Sequence, residues 1–299
     1  MPRSRGALIL SALAMGSAAA VIARRRSRLR AGQPGEPKGA LRNLWTRVDG
    51  SMIYARASRD PAPDRLPVVL VHGYGMSSSY MVPIAERLAA ELPVYAPDLP
   101  GHGRSGDPGR TLTVPELAEV LRAWMDEVGI ERAALLGNSM GCQIVAAFAA
   151  RWPERVDRLI LVGPTADAEA RTLRQHLPRL LRAGAAERIS LPFLVLRDYG
   201  RAGLRRIARE LQVMFEDRIE DNLPRITAPA LVLRGERDAI VPQRWAEEVA
   251  RGLGAEVRVI PGAGHALNYS AADELMRMIR PFLRETTVSG EERARAGRP

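Results

Sequence analysis

Gly137-Asn138-Ser139-Met140-Gly141 follows the apolar run Ala133 to Leu136 and precedes the Ala-rich stretch Ile144 to Ala150. The first run reads as a buried strand and the second as a helix. Ser139 therefore falls on a sharp strand-to-helix turn, the context in which a G-x-S-x-G pentapeptide exposes a serine hydroxyl as a nucleophile. The glycines fit because side chains there would collide across so tight a turn, and strained backbone at the serine tolerates no bulk nearby. A Gly-Ser-Gly cluster in a chain with 26 glycines is by itself an ordinary loop, so the rest of the sequence has to decide between the two readings.

Outward from the serine, the order of signals favours the catalytic turn. Leu66 to Val71 is an unbroken apolar run opening into His72-Gly73-Tyr74-Gly75, as a buried parallel strand would. Val94-Tyr95-Ala96 leads into Pro97-Asp98-Leu99-Pro100-Gly101-His102-Gly103-Arg104-Ser105. Leu159 to Gly163, Ala230 to Leu233 and Val257 to Ile260 repeat the pattern, with helical segments around 113–128, 140–151, 243–253 and 271–284 between or after them. Alternating strand and helix predict an α/β fold with a mostly parallel, doubly wound sheet covered on both faces.

Residues 41 to 286 resemble an α/β-hydrolase fold enzyme: five separated motifs stand in the family's order, the serine turn and Gly264-His265 being the most specific. The resemblance implies Ser139 as nucleophile, Asp238 as triad acid and His265 as general base, in the chain order this fold uses. The chemistry agrees, because a serine hydroxyl needs an imidazole to take its proton and a carboxylate to fix the tautomer. All three residues fall beyond the carboxyl ends of predicted strands, where open α/β sheets place their sites. The oxyanion donors implied are the backbone N–H of Met140 and that of Tyr74, which follows His72-Gly73.

Other polar residues receive plainer readings. His72 and His102 lie in loops where the resemblance implies turn-stabilising hydrogen bonds, and His176 reads as a surface or lid residue. Asp98 belongs to a turn that recurs in the family as architecture. Asp167 is the rival triad acid, because some related enzymes draw the acid from that loop; Asp238 is preferred because Ala239-Ile240-Val241-Pro242 after it matches similar sequences. Cys142 is the single cysteine, which excludes an intramolecular disulfide, and it reads as a small packed residue. No complete dinucleotide fingerprint and no Cys/His cluster with metal spacing occurs, so neither a cofactor nor a metal is implied.

From Pro164 to about Arg225 the sequence turns Arg-, Leu- and Ala-rich, with helical stretches Thr172 to Arg182 and Leu204 to Phe215 joined by Ser190-Leu191-Pro192-Phe193. An insertion here resembles the helical cap of many relatives. Leu177, Leu180, Leu181, Leu191, Phe193, Leu194, Met214 and Phe215 are its candidate inward residues, which implies a small apolar substrate. The division expected is 1–40 for an apolar segment, basic cluster and linker, 41–164 for the first part of the core, 165–225 for the cap, 226–286 for the second part of the core, and 287–299 for a tail.

The net charge of +10 is concentrated at the N-terminus: residues 1–42 hold nine Lys and Arg against one Glu, leaving +2 for the rest. The folded body thus has no basic surface suited to nucleic acid. Gly6 to Ala23, 18 residues without a charge, lies between Arg3/Arg5 and the cluster Arg24 to Arg30. A signal peptide is opposed by the arginines that follow it, so the expectation is membrane contact through residues 6–23 as an uncleaved anchor, with the catalytic body on the cytoplasmic side. The function expected is a serine hydrolase cleaving a carboxylic ester or similar acyl bond. A carbon–carbon bond hydrolase of the meta-cleavage type shares the Gly-Asn-Ser-Met-Gly turn, although Ala266 stands where those relatives carry tryptophan. A non-catalytic small-molecule receptor on the same fold is the third reading.

Overall fold

The computed structural model describes residues 39–61, 65–183 and 187–284. The chain begins there with a hairpin, β1 (Leu41–Val48) and β2 (Ser51–Ser58), turned through Asp49 and Gly50. Both turn residues have positive φ, 46° and 81°, the geometry of a type I′ turn that matches the twist of paired strands. The remaining strands are β3 (Val68–Val71), β4 (Val94–Pro97), β5 (Ala133–Asn138), β6 (Val156–Val162), β7 (Ala230–Gly235) and β8 (Glu256–Ile260). They form one sheet in the order β1-β2-β4-β3-β5-β6-β7-β8. β1 with β2 and β2 with β4 pair antiparallel, and every pair from β4 to β8 is parallel.

Buried strands of this kind alternate their side chains between two cores. Val69, Val71, Leu135, Leu159, Leu161 and Val232 enter one apolar cluster with α2 (Val114–Val128), α3 (Met140–Arg151) and α7 (Gln243–Leu253). Val68, Leu70, Leu136, Ile160, Val162, Leu231 and Leu233 enter the other with α1 (Ser78–Ala89), the short helix α8 (Leu267–Ser270) and α9 (Ala272–Arg284). The helix ends carry their own signals. Thr113 and Glu116 close a reciprocal capping box at the start of α2, and Gly129 ends that helix at φ 77°.

The order of the sheet fixes where a site can form. From β3 the chain moves outward to β4, then returns to the other side of β3 for β5, so the loops after β3 and β5 diverge at a switch point. Val71, the last residue of β3, pairs with Gly137. His72 to Gly75 and the serine turn therefore stand side by side at the carboxyl edge.

Between β6 and β7 the chain makes three helices, α4 (Leu173–Ala183), α5 (Leu191–Ala202) and α6 (Leu204–Glu216). The sequence reading anticipated α4 and α6 but treated the start of α5 as a joint. Of the expected inward residues, Met214 is buried, whereas Leu181 and Phe193 are 55% and 47% exposed and point away from the core. Helical periodicity fixes which residues share a face, not which face a cap turns inward.

The expected membrane anchor, with its implied localisation, is corrected: no helix among the described residues is long and apolar enough to cross a membrane. Residues 6–23 themselves lie outside the described residues, and at 18 residues diluted by Ala, Gly and Ser the run sits at the lower limit for a span.

Candidate active site

Ser139 caps the N-terminus of α3 with φ 57° and ψ −124°, a conformation that costs free energy and persists only where the surroundings enforce it. Here the enforcement is close packing of backbone. A Cβ on Gly137 would meet the carbonyl carbon and oxygen of Gly141 at 2.5 Å, and one on Gly141 would meet Val71 O at 2.4 Å. The Ser139 N–H is held by Val162 O at 2.9 Å. We therefore expect Gly141→Ala to lose about 3 kcal/mol or more of stability, read from the denaturant midpoint. Gly200→Ala in α5 is the contrast, since nothing lies within 4 Å of its Cβ position and its backbone suits alanine; it should be neutral or stabilising.

His265 follows β8 and Asp238 follows β7, and the structure brings them together. His265 Nδ1–H donates to Asp238 Oδ2 at 2.8 Å. The other oxygen, Oδ1, accepts from Ile240 N at 2.9 Å and Val241 N at 3.0 Å, so the completely buried carboxylate is fully oriented. Burial alone would push the His265 pKa down, but the charge and hydrogen bond of Asp238 overcome it and raise the value above the ordinary one. Nε2, the nitrogen that would take a proton from a serine, is buried and has no hydrogen-bond partner. Such bonds often close only when substrate binds.

One contact joins this pair to the serine turn, and another closes on it from the loop after β6. Asn138 Nδ2, one residue before Ser139, donates to Val162 O at 3.1 Å and to His265 O at 3.5 Å. Gly163, at φ 59°, lies against the imidazole: its Cβ would fall 2.9 Å from Cε1, 3.0 Å from Nδ1 and 3.3 Å from Asp238 Oδ2. Any side chain at 163 would displace the histidine. The sequence reading ended a strand at Gly163 without giving it this part, which only the approach of two distant loops reveals.

The loop after β3 touches the same turn, since a Cβ on Gly73 would lie 2.9 Å from Ser139 Cβ. Tyr74, next along, donates its hydroxyl to Ile207 O of α6 at 2.8 Å, which anchors this loop to the cap. The Met140 side chain is buried in the apolar core.

Asp167, the rival acid, is engaged elsewhere: its Oδ2 accepts from Arg179 at 2.6 Å and Arg244 at 2.7 Å. Burial raises its pKa, but these arginines outweigh that and hold it below the usual carboxylate value. Asp98 has the structural part expected of it, accepting from Ser78 N at 2.6 Å and Arg104 N at 2.7 Å. Cys142 is buried with its thiol pKa pushed up by desolvation.

The histidines separate by environment. His72 Nε2 accepts from Leu99 N at 3.0 Å, which leaves the proton on Nδ1 to bond Gly73 O at 3.0 Å. His102 faces two acceptors, Pro100 O at 3.2 Å and Glu210 Oε2 at 3.1 Å; burial pushes its pKa down, but the Glu210 carboxylate outweighs that and raises it. Glu210, buried on α6, also accepts from Gly75 N at 3.1 Å, which adds a tie between cap and core. His176 corrects the surface reading: it belongs to the cap helix α4 but is only 3% exposed, edge-on to Phe215 at 5.3 Å. Burial and the charges of His265 and Arg179 push its pKa down to about 4.

A model of the alpha/beta hydrolase family matches residues 68–278, which span every strand from β3 to β8 and all three residues Ser139, Asp238 and His265. The chain belongs to the alpha/beta hydrolase family. Within that family it is 32% identical over 238 residues to the dihydrolipoyllysine-residue acetyltransferase component of an acetoin cleaving system from Pseudomonas putida, a match covering 73% of this chain but only 64% of that protein. A thermophilic esterase from Thermogutta terrifontis superposes with a TM-score of 0.66 at 25% identity, over 81% of this chain and 98% of the esterase. The 2-hydroxy-6-oxo-6-phenylhexa-2,4-dienoate hydrolase of Rhodococcus sp. strain RHA1 superposes with a TM-score of 0.66 at 24% identity, over 82% of this chain and all of that one, a likeness of fold. The buried His265–Asp238 pair stands after the last two strands, as a triad-bearing hydrolase of this family requires.

Proposed function

We propose that this chain hydrolyses a carboxylic ester, or a similar acyl bond, of a small apolar molecule through an acyl-enzyme on Ser139. His265 Nε2 takes the hydroxyl proton as Ser139 Oγ bonds to the acyl carbon, and Asp238 stabilises the imidazolium through Nδ1–H. The backbone N–H groups of Met140 and Tyr74 would stabilise the oxyanion. The imidazolium then gives its proton to the departing alcohol. Water, deprotonated in turn by His265, attacks the acyl carbon and releases the acid together with Ser139.

The observation that carries this reading is the buried Asp238–His265 pair, with Nε2 unpartnered, at the sheet edge that holds the strained serine turn. The Thermogutta terrifontis esterase supports the ester bond as the target. Half-buried Leu177, Leu180, Leu191 and Leu194 on the cap helices support an apolar substrate.

The carbon–carbon hydrolase reading draws support from Gly137-Asn138-Ser139-Met140-Gly141 and from the fold shared with the Rhodococcus enzyme. A panel of p-nitrophenyl esters of graded chain length, run beside a meta-cleavage dienone, separates the two. Ester turnover that rises with chain length up to a limit set by the cap is the expected result. Turnover of the dienone alone would transfer the assignment, and a folded protein that a fluorophosphonate does not label would be a receptor.

A further inference from the structure

Glu187 lies between α4 and α5, and its half-buried carboxylate reaches the segment that follows the histidine. Oε1 accepts from the backbone N–H of Ala266, the residue after His265, at 2.8 Å. Oε2 accepts from Ser270 Oγ at 2.6 Å. Ala266 caps the start of α8 and Ser270 is its last residue, so one carboxylate grips both ends of the short helix that continues from His265. Neighbouring bonds fasten the same segment: Tyr269 Oη donates to Ser190 Oγ at 3.0 Å, and Arg188 N donates to Ser270 Oγ at 3.4 Å.

The orientation of an imidazole is set by what holds its ring and what holds its backbone. Asp238 and Gly163 do the first. On the backbone, the His265 carbonyl accepts from Leu267 N at 3.1 Å and, from the sheet side, from Asn138 at a long 3.5 Å, whereas the next N–H is held by Glu187 at 2.8 Å from the cap side. We infer that Glu187 is a positioning residue for His265, so that seating of the cap segment completes the alignment of the general base. The inference rests on the reading of Ser139 and His265 proposed above.

The ionisable groups facing His265 are Asp238 from the loop after β7, Glu187 from the cap and His176 from α4. After burial and Asp238, Glu187 adds a smaller push that favours the imidazolium. A general base works as neutral imidazole, so kcat/KM rises with pH through the His265 pKa. Removing the Glu187 charge lowers that pKa and moves the acidic limb to lower pH.

The test uses the full chain as wild type, Glu187→Ala and Glu187→Gln. Three quantities are measured: fluorophosphonate labelling of Ser139, the pH dependence of p-nitrophenyl ester hydrolysis, and NMR titration of the His265 ring. Glu187→Ala is expected to lower kcat about tenfold or more, with KM within about threefold, because a displaced base costs rate rather than binding. Glu187→Gln can keep the Ala266 bond through its amide oxygen and donate to Ser270 Oγ. It should therefore retain most of kcat while His265 titrates at lower pH. If Glu187→Ala keeps the wild-type kcat, or Glu187→Gln loses as much kcat as Glu187→Ala, the inference is overturned while the proposed function stands. A wild type that is not labelled removes both. Should Glu187→Ala fail to fold, Ser270→Ala, which removes one of the two groups that Glu187 grips, decides by the same kcat and KM readout, and an unchanged kcat would overturn the inference.

Discussion

Ser139→Ala is expected to lower turnover by about 10⁴-fold or more and to eliminate fluorophosphonate labelling, while the melting temperature stays close to that of the wild type. The size of the effect follows from the lack of any substitute. Cys142, three residues on, is buried, its Sγ–H donates to Gly137 O at 3.2 Å, and desolvation raises its pKa, so it supplies no thiolate. The fold should survive because the conformation of the turn is imposed by contacts of Gly137 and Gly141 with neighbouring backbone, none of which involves the serine side chain. Intact protein mass after probe treatment reads labelling directly. Residual labelling of the alanine variant at another residue would overturn the assignment of the nucleophile.

Asp238→Asn should cost about 10⁴-fold in kcat, by analogy with other triads whose acid is replaced by its amide. The reason lies in the hydrogen bonds around the carboxylate. Ile240 N–H and Val241 N–H both donate to Oδ1, so the oxygen of an asparagine would occupy that position. Its NH₂ group would then face His265 Nδ1, 2.8 Å away, and donate to it. The imidazole would have to carry its proton on Nε2 and could not accept from Ser139. Asp167→Asn, in contrast, should leave kcat within about threefold and lower stability instead, because it weakens the ion pairs to Arg179 and Arg244. Steady-state kinetics and denaturant unfolding of both variants check the pair of expectations. A large kcat loss in the Asp167 variant with a small one in the Asp238 variant would exchange their parts.

Much of the fold was legible because its signals are local. Short apolar runs ending in Gly-rich loops gave the parallel strands β3 to β8, and alternation with helical periods gave the double covering. The hairpin of β1 and β2 was not read, although Asp49-Gly50 is a type I′ turn signal. β1 is partly exposed at the edge of the sheet, and the apolar pattern of the two strands is diluted by Arg42, Arg47 and Arg56. Helix α1 also went unread: it opens with serines and holds Pro83, which obscures its period.

At the site, the sequence proposed Ser139, Asp238 and His265 but could not discriminate Asp238 from Asp167 by chemistry. Both are acids after a strand in a Gly- or Pro-containing loop. The difference is which strand lies beside β8: β7 pairs with β8, and β6 does not. His176 departs from its sequence context because neighbouring arginines in α4 suggest an exposed face, whereas packing against Phe215 buries it.

The sequence by itself determined the alternation of strands and helices, the strained glycine-flanked serine turn and the inserted cap, because each is set by contacts within a few residues. Only the tertiary structure decided which acid meets His265, that Gly163 must lack a side chain, and that Glu187 of the cap grips the residue after the histidine. Those contacts join positions from 27 to 102 residues apart, and a hydrogen bond between loops depends on the order and twist of the strands that deliver them, which no local stretch of sequence encodes.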